Sequence, residues 1–426
     1  MFYRDKSKDF LKKELEKEQS VYNDILGQNI NIDISRGKPC KEQLDLSMEM
    51  LNTINSVSDL PESGADIRNY GGLEGLPAMR ELFAEMLEVK ASNVIVGGNS
   101  SLNMMYDTIQ RCMQFGVLGS TPWNKLEKVK FLCPAPGYDR HFSLTACFGI
   151  ELITIPMDNN GPIMDLVERL VAEDESIKGI WCVPKYSNPT GIVFSDEVVE
   201  RLAKMTTKAQ DFRIFWDNAY VVHDLYDNTV PLKNIYAECV ANGHPNRVFI
   251  FASTSKITFP GAGVACFATS EDNVKDALKT MKFQTIGPDK LNQYMHIKFL
   301  KNMEGVREHM KKQATIIRPK FDTILNVLED EFGVGCDIAN WSHPRGGYFI
   351  SYNVLNGCAK RVYELCKQAG LVITTVGDTY PYGKDDNDSN IRIAPTFTNT
   401  NQLDVACKIL VCSTKIACIE KILSEK

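Results

Sequence analysis

Along the first thirty residues the apolar positions Leu11, Leu15, Tyr22 and Ile25 recur three, four or seven apart, which predicts an amphipathic helix over residues 9–26. From residue 93 onward the pattern changes. Short apolar runs rich in β-branched and aromatic residues stand at 93–96, 129–133, 151–155, 179–183, 213–216, 247–252 and 263–268. Helical periodicity precedes the first run, over 78–89, and fills most of the gaps, as over 102–115 and 196–206. Such alternation predicts an α/β fold: a mostly parallel seven-stranded sheet with helices on both faces. A longer periodic stretch, Val306, Met310, Ala314, Ile317, Phe321, Ile324 and Leu328, predicts one long helix kinked at Pro319. Beyond it, residues 346–351, 371–375 and 390–394 predict a smaller α/β unit, and 380–389 a polar loop.

Composition narrows the classes. At 426 residues the chain exceeds one simple core, so a large and a smaller domain are expected. The net charge of −6, without a long basic run, argues against a nucleic-acid surface. The N-terminus is dense in charge where a signal peptide would be apolar, and no run approaches the roughly 20 apolar residues of a membrane span. Thirteen cysteines without a CxxC pair read as buried thiols of a reducing cytoplasm, and with six dispersed histidines they predict no metal site.

Ligands of a parallel sheet bind beyond the carboxyl ends of its strands, so candidate chemistry belongs in the loops that follow them. After 93–96 come Gly97, Gly98, Asn99, Ser100 and Ser101, which suit either an anion at a helix N-terminus or an ordinary N-cap. After 129–133, Tyr138 offers a ring for stacking. Asn188 follows 179–183, and Asp217 and Tyr220 follow 213–216. The run 247–252 ends in Ser253, Thr254, Ser255 and Lys256, then turns at Pro260, Gly261 and Gly263. Alone, Lys256 reads as a solvated loop lysine. Beside an acid, a phenol, an amide, an aromatic plate and a phosphate loop it reads as a buried nucleophile. A flat phosphorylated heterocycle with a ring nitrogen, a phenolic oxygen and an aldehyde needs this set.

The spaced motifs NPTG (188–191), DNAY (217–220), STSK (253–256) and IRIAP (391–395) resemble the pyridoxal-phosphate-dependent aminotransferases of class I/II, which share the aspartate aminotransferase fold (fold type I). The resemblance spans about residues 35–392. With SRGKP (35–39), NYGGLEG (69–75), TSKIT (254–258) and PRGGYF (344–349) the chain is similar to a bacterial branch of aspartate aminotransferases. The resemblance implies pyridoxal 5'-phosphate as cofactor and transfer of an amino group from an acidic amino acid, aspartate, to 2-oxoglutarate in two half-reactions. It implies that Lys256 holds the cofactor covalently and moves the substrate proton, and that Asp217 pairs with the ring nitrogen. Tyr220 and Asn188 then bond the ring oxygen, and Tyr138 stacks. Asn99, Ser100, Ser101, Ser253 and Ser255 surround the phosphate. Arg392 takes the substrate α-carboxylate near Gly37; for the distal carboxylate, position among the basic residues of the cleft-facing loops (Arg36, Lys38, Arg140 and Lys185) favours Arg36 or Arg140, each of which also suits a surface salt bridge. Tyr70 reaches a neighbouring subunit's phosphate, which implies a homodimer. One position departs from the pattern: Val264 stands where most relatives carry a phosphate-binding arginine. The implied domains are 1–65, part of a small domain; 66–305, binding the cofactor; and 306–426, the linking helix and the rest of the small domain. Transaminases for alanine or aromatic amino acids, or a β-lyase, would share the catalytic set. A non-catalytic regulator that binds the cofactor would need a DNA-binding domain, for which the residues before 35 are too few.

Overall fold

The computed structural model describes residues 2–62, 65–333 and 335–426. In chain order the elements that matter are helix α1 (Lys8–Leu26), helix α2 (Pro77–Leu87), strand β1 (Val94–Val96), α3 (Ser101–Phe115), β2 (Lys130–Ala135), α4 (Asp139–Cys147), β3 (Glu151–Asp158) and β4 (Gly161–Pro162). They continue with β5 (Ile177–Cys182), α5 (Asp196–Lys204), β6 (Arg213–Asp217), β7 (Val248–Ser253), β8 (Ala265–Ala268) and α6 (Met303–Phe332). The chain then adds β9 (Ala339–Trp341), β10 (Ile350–Val354), β11 (Asn390–Ile393) and α7 (Thr400–Glu425).

The seven expected strands form one sheet in the order β1-β8-β7-β6-β5-β2-β3, extended by β4 to eight. Neighbours from β7 to β3 pair in parallel, while β8 runs antiparallel to both β7 and β1. Strand β4 is a two-residue return on β3 through the turn at Asn159 and Asn160, too short to leave an apolar run in the sequence. Alternate residues of each central strand feed opposite cores. Ile214, Trp216, Ile250 and Ala252 pack with α2 and α5 on one face, and Phe215, Phe249 and Phe251 pack with α3 on the other. Asp217 follows Phe215 in phase, so it emerges at the end of the aromatic face.

All seven apolar positions predicted for the long helix are buried. That helix runs unbroken through Pro319, which lies on its exposed side. The carbonyl of Thr315, which loses its amide donor to the proline, is on an exposed residue that water can serve. A third core joins α1, the second half of α6, strands β9–β11 and α7. The two-residue strand Ile32–Asp33 pairs in parallel with Leu371–Val372 and brings the 35–38 loop against this unit. The thirteen cysteines are unpaired, and among the described residues no helix is long and apolar enough to cross a membrane.

Candidate active site

Strand β7 delivers Ser253 to the sheet edge, and the chain then closes a tight turn: the Ile257 and Thr258 N–H groups donate to the Thr254 carbonyl at 2.8 and 2.9 Å. Thr254 spends its hydroxyl inside this turn, accepting from Val264 N–H at 2.9 Å and pairing with His296 Nε2 at 3.0 Å. Ser253 and Ser255 remain on the outer side, their hydroxyls 3.1 Å apart. A Cβ on Gly263 would come within 2.6 Å of the Asn99 carbonyl and 2.9 Å of Ser255 Oγ, so only glycine lets the 97–101 loop close on this turn. Ser100 caps α3, accepting from Asn103 N–H, and Ser101 opens the helix. The N-cap reading of this loop is thus what the structure shows.

Lys256 stands at the floor of a cavity of about 450 Å3, its Nζ 5.1 Å from the centre of the Tyr220 ring and 5.8 Å from that of Tyr348. Burial pulls its pKa below the usual lysine value, and the charge of Asp217 opposes this. The same cavity gathers Arg36, Gly37, Ser101, Tyr138, Arg140, Asn188, Asp217, Tyr220 and Arg392. Asp217 is buried. Its Oδ2 lies 3.0 Å from His141 Nε2, and its Oδ1 has no hydrogen-bond partner among the described residues. A buried carboxylate oxygen left bare is costly unless a donor meets it. His141 is itself locked, stacked on Trp181 at 4.1 Å and 9° and touched edge-on by Tyr138. Burial, followed by the nearby Asp217, raises the Tyr138 phenol to about 12, and burial also raises Tyr220.

On the opposite wall β11 presents Arg392, paired across the sheet with Ser351. Its Nε donates to Thr374 Oγ1 at 3.2 Å, and its Nη1 to Asp139 Oδ1 at 2.9 Å and Asn188 Oδ1 at 3.4 Å. The guanidinium covers the Phe349 ring at 5.0 Å. Thr374 donates onward to the Ser35 carbonyl, which ties the 35–38 loop over the cavity. Gly37 has no room for a side chain there, since a Cβ would meet Phe349 at 2.6 Å.

Four expected residues, Asn99, Ser100, Ser253 and Ser255, are not among those that line the cavity. Tyr70 is apart from it, 81% exposed on its glycine loop. Val264 is buried and offers no charge. Sequence reasoning missed His141, Asp139, Thr374 and Asp378, the last three lining the cavity or bonded to Arg392. It also missed His223, a buried ring edge-on to Tyr220 and Tyr348, which burial and the Lys256 charge depress to about 3. A larger cavity of about 930 Å3 lies behind β6, where Trp216 and Asn218 point, and none of the expected site residues lines it.

The family model described as aspartate amino-transferase matches residues 6–426. A putative aminotransferase of Mycolicibacterium smegmatis is 45% identical, the alignment covering 100% of both chains. An aspartate aminotransferase of Corynebacterium glutamicum is 44% identical over 90% of this chain and 89% of its own. The crystal structure of an aspartate transaminase from Corynebacterium glutamicum superposes with a TM-score of 0.96 at 41% identity, covering 99% of each chain. Likeness at this level, over the full length, settles the family: the chain belongs to the aspartate amino-transferases.

Proposed function

We propose that this aminotransferase moves the amino group of aspartate to 2-oxoglutarate with pyridoxal 5'-phosphate as cofactor, at the cavity around Lys256. The observation that carries the reading is the pairing of a bare, buried Asp217 oxygen with a lysine of lowered pKa in one cavity. The residues fit the cofactor. Asp217 Oδ1 would meet a ring N–H, while His141 keeps the other oxygen fixed. Tyr138 has the place to stack, and Asn188 and Tyr220 to donate to a ring oxygen. Ser253, Ser255, Asn99, Ser100, Ser101 and the α3 N-terminus form a cradle for phosphate, with hydroxyls and backbone N–H groups doing what Val264 cannot. When bound, the cofactor supplies an aldehyde for amines and a ring that takes up electron density. Lys256 as the neutral amine accepts the proton from the substrate Cα, and Arg392 holds the α-carboxylate in place for it.

Arg36 is the better candidate for the distal carboxylate of an acidic substrate. It lines the cavity, and its guanidinium has no hydrogen-bond or ion-pair partner among the described residues. Lys38 instead covers Phe397, and Arg140 leans toward Asp139. Arg36→Ala should lower kcat/KM for aspartate by about 30-fold, the lower end for a charge pair at a partly open site, and leave alanine nearly untouched. An unchanged aspartate-to-alanine ratio would exclude Arg36 from the pocket.

The reading includes a homodimer and a reducing, cytoplasmic setting, the latter supported by the unpaired thiols. Tyr70, Phe283 and Ile286 are 81, 78 and 63% exposed, and the loops that carry them touch through Gly71 and Gly287. Such apolar exposure suits a second copy of the chain, with Tyr70 entering its phosphate cradle. Mixing Tyr70→Phe with Lys256→Ala protein under subunit exchange should restore activity that neither has. A fully active monomer would contradict the shared site. Residues 66–305 would form the cofactor-binding domain, and 1–65 with 306–426 the smaller one, as the separate core around α1, α6 and α7 suggests.

A further inference from the structure

Asp139 sits directly after Tyr138, at the first residue of α4, and its carboxylate already occupies the arginine that the substrate needs. Arg392 Nη1 donates to Asp139 Oδ1 at 2.9 Å, with the arginine side chain 8% exposed and the aspartate 30%. Arg392 Nε is taken by Thr374, so the two-pronged grip on an incoming carboxylate must use Nη1 and Nη2. Asp139 holds one prong of that fork. Negative charge is dense here: Asp378 lines the same cavity, and its pKa is raised first by burial and then by the Asp139 charge, with Arg392 opposing. A substrate α-carboxylate would be the third acidic group around one guanidinium. A second cation is at hand for Asp139, because Arg140 Nε lies 3.9 Å from its Oδ2, at the exposed end of the contact.

We propose that Asp139 is a displaceable counter-ion of the substrate site: it fills the Arg392 fork when no substrate is bound and turns to Arg140 when a substrate carboxylate takes its place. The inference rests on the reading of Arg392 as the α-carboxylate site. Two consequences follow from charge alone. The buried guanidinium stays paired and oriented between turnovers, which avoids the cost of a bare buried charge. Every carboxylate ligand must also displace an internal one, which holds affinity down and speeds product departure. Asp139 is thus a positioning residue, acting on substrate through Arg392.

The test is a calorimetric titration of the holoenzyme with succinate, a dicarboxylate that cannot react, alongside kcat and KM for aspartate. Asp139→Asn keeps the size and an oxygen acceptor and removes the charge. It should tighten succinate by about tenfold, equivalent to one weak ion-pair exchange, and lower KM for aspartate without raising kcat. Asp139→Glu, which keeps the charge, should bind succinate no tighter than wild type. Unchanged or weaker binding in Asp139→Asn, or equal tightening in both variants, overturns the proposal. Arg392→Lys is measured in parallel: if succinate binding ignores it, the reading of Arg392 fails. If binding weakens there while Asp139→Asn shows no gain, only the displacement idea falls.

Discussion

Lys256→Ala abolishes amino transfer. The expected loss of kcat exceeds about 10⁴-fold, because in the proposed function one side chain is both the covalent anchor and the group that moves the substrate proton, and the proton-transfer part alone is worth about 10²–10⁴. Its place in the structure supports both proposed roles. The lysine follows a strand whose residues are almost wholly buried, in a turn fixed by Thr254 and His296, and burial lowers its pKa below the usual lysine value, which favours the neutral amine, while the charge of Asp217 opposes this. Borohydride reduction of the wild-type holoenzyme should fix the phosphopyridoxyl group on the peptide that contains Lys256. The variant should carry no such adduct and keep the same fold by circular dichroism. Retained turnover, or an adduct on another lysine, would show that the nucleophile is misassigned.

Asp217→Ala retains part of the cofactor and loses most of the rate. The carboxylate has no service among the described residues for its Oδ1, and His141 holds Oδ2. A preorganised charge aimed at a site where charge develops in the transition state contributes about 10²- to 10³-fold to kcat, and that is the expected deficit. Cofactor affinity should fall less, since the proposed phosphate contacts and Lys256 remain. Near-normal turnover with saturating cofactor would remove Asp217 from the mechanism. A variant that neither folds nor binds would be replaced by Asp217→Asn, which keeps the shape and the contact to His141, and for which the same rate deficit is expected.

The strands and the loops at their ends were legible because a buried parallel strand must be an apolar run, and a ligand loop must interrupt it with polar residues. That logic located Asp217, Lys256, Asn188 and Tyr138, and the structure gathers all four in one cavity. It stopped where function depends on contacts between distant segments. Arg392 and Asp139 are 253 positions apart, and nothing in the local pattern of either marks the ion pair. His141 looks like any helical histidine until its ring is seen stacked on Trp181 with its nitrogen on Asp217. Thr374 and Ser35 meet because a two-residue parallel pairing joins segments more than 300 positions apart; the apolar run at 371–375 was legible, but its partner Ile32–Asp33 is too short to announce itself. Among the loop cations, sequence position could not separate Arg36 from Arg140. Both line the cavity, and their side-chain partners separate them: Arg140 lies near Asp139, while Arg36 has no partner among the described residues.

The measurement that bears most directly on the central claim is a single turnover with L-aspartate and no 2-oxo acid, at stoichiometric holoenzyme. An aminotransferase that keeps the amino group must release one oxaloacetate per Lys256 site, form no ammonia, and stop until 2-oxoglutarate is added. Lys256→Ala should release none. Oxaloacetate absent from aspartate while alanine or an aromatic amino acid yields its 2-oxo acid would contradict the acidic-substrate reading. Continuous release of ammonia without an acceptor would contradict amino transfer itself.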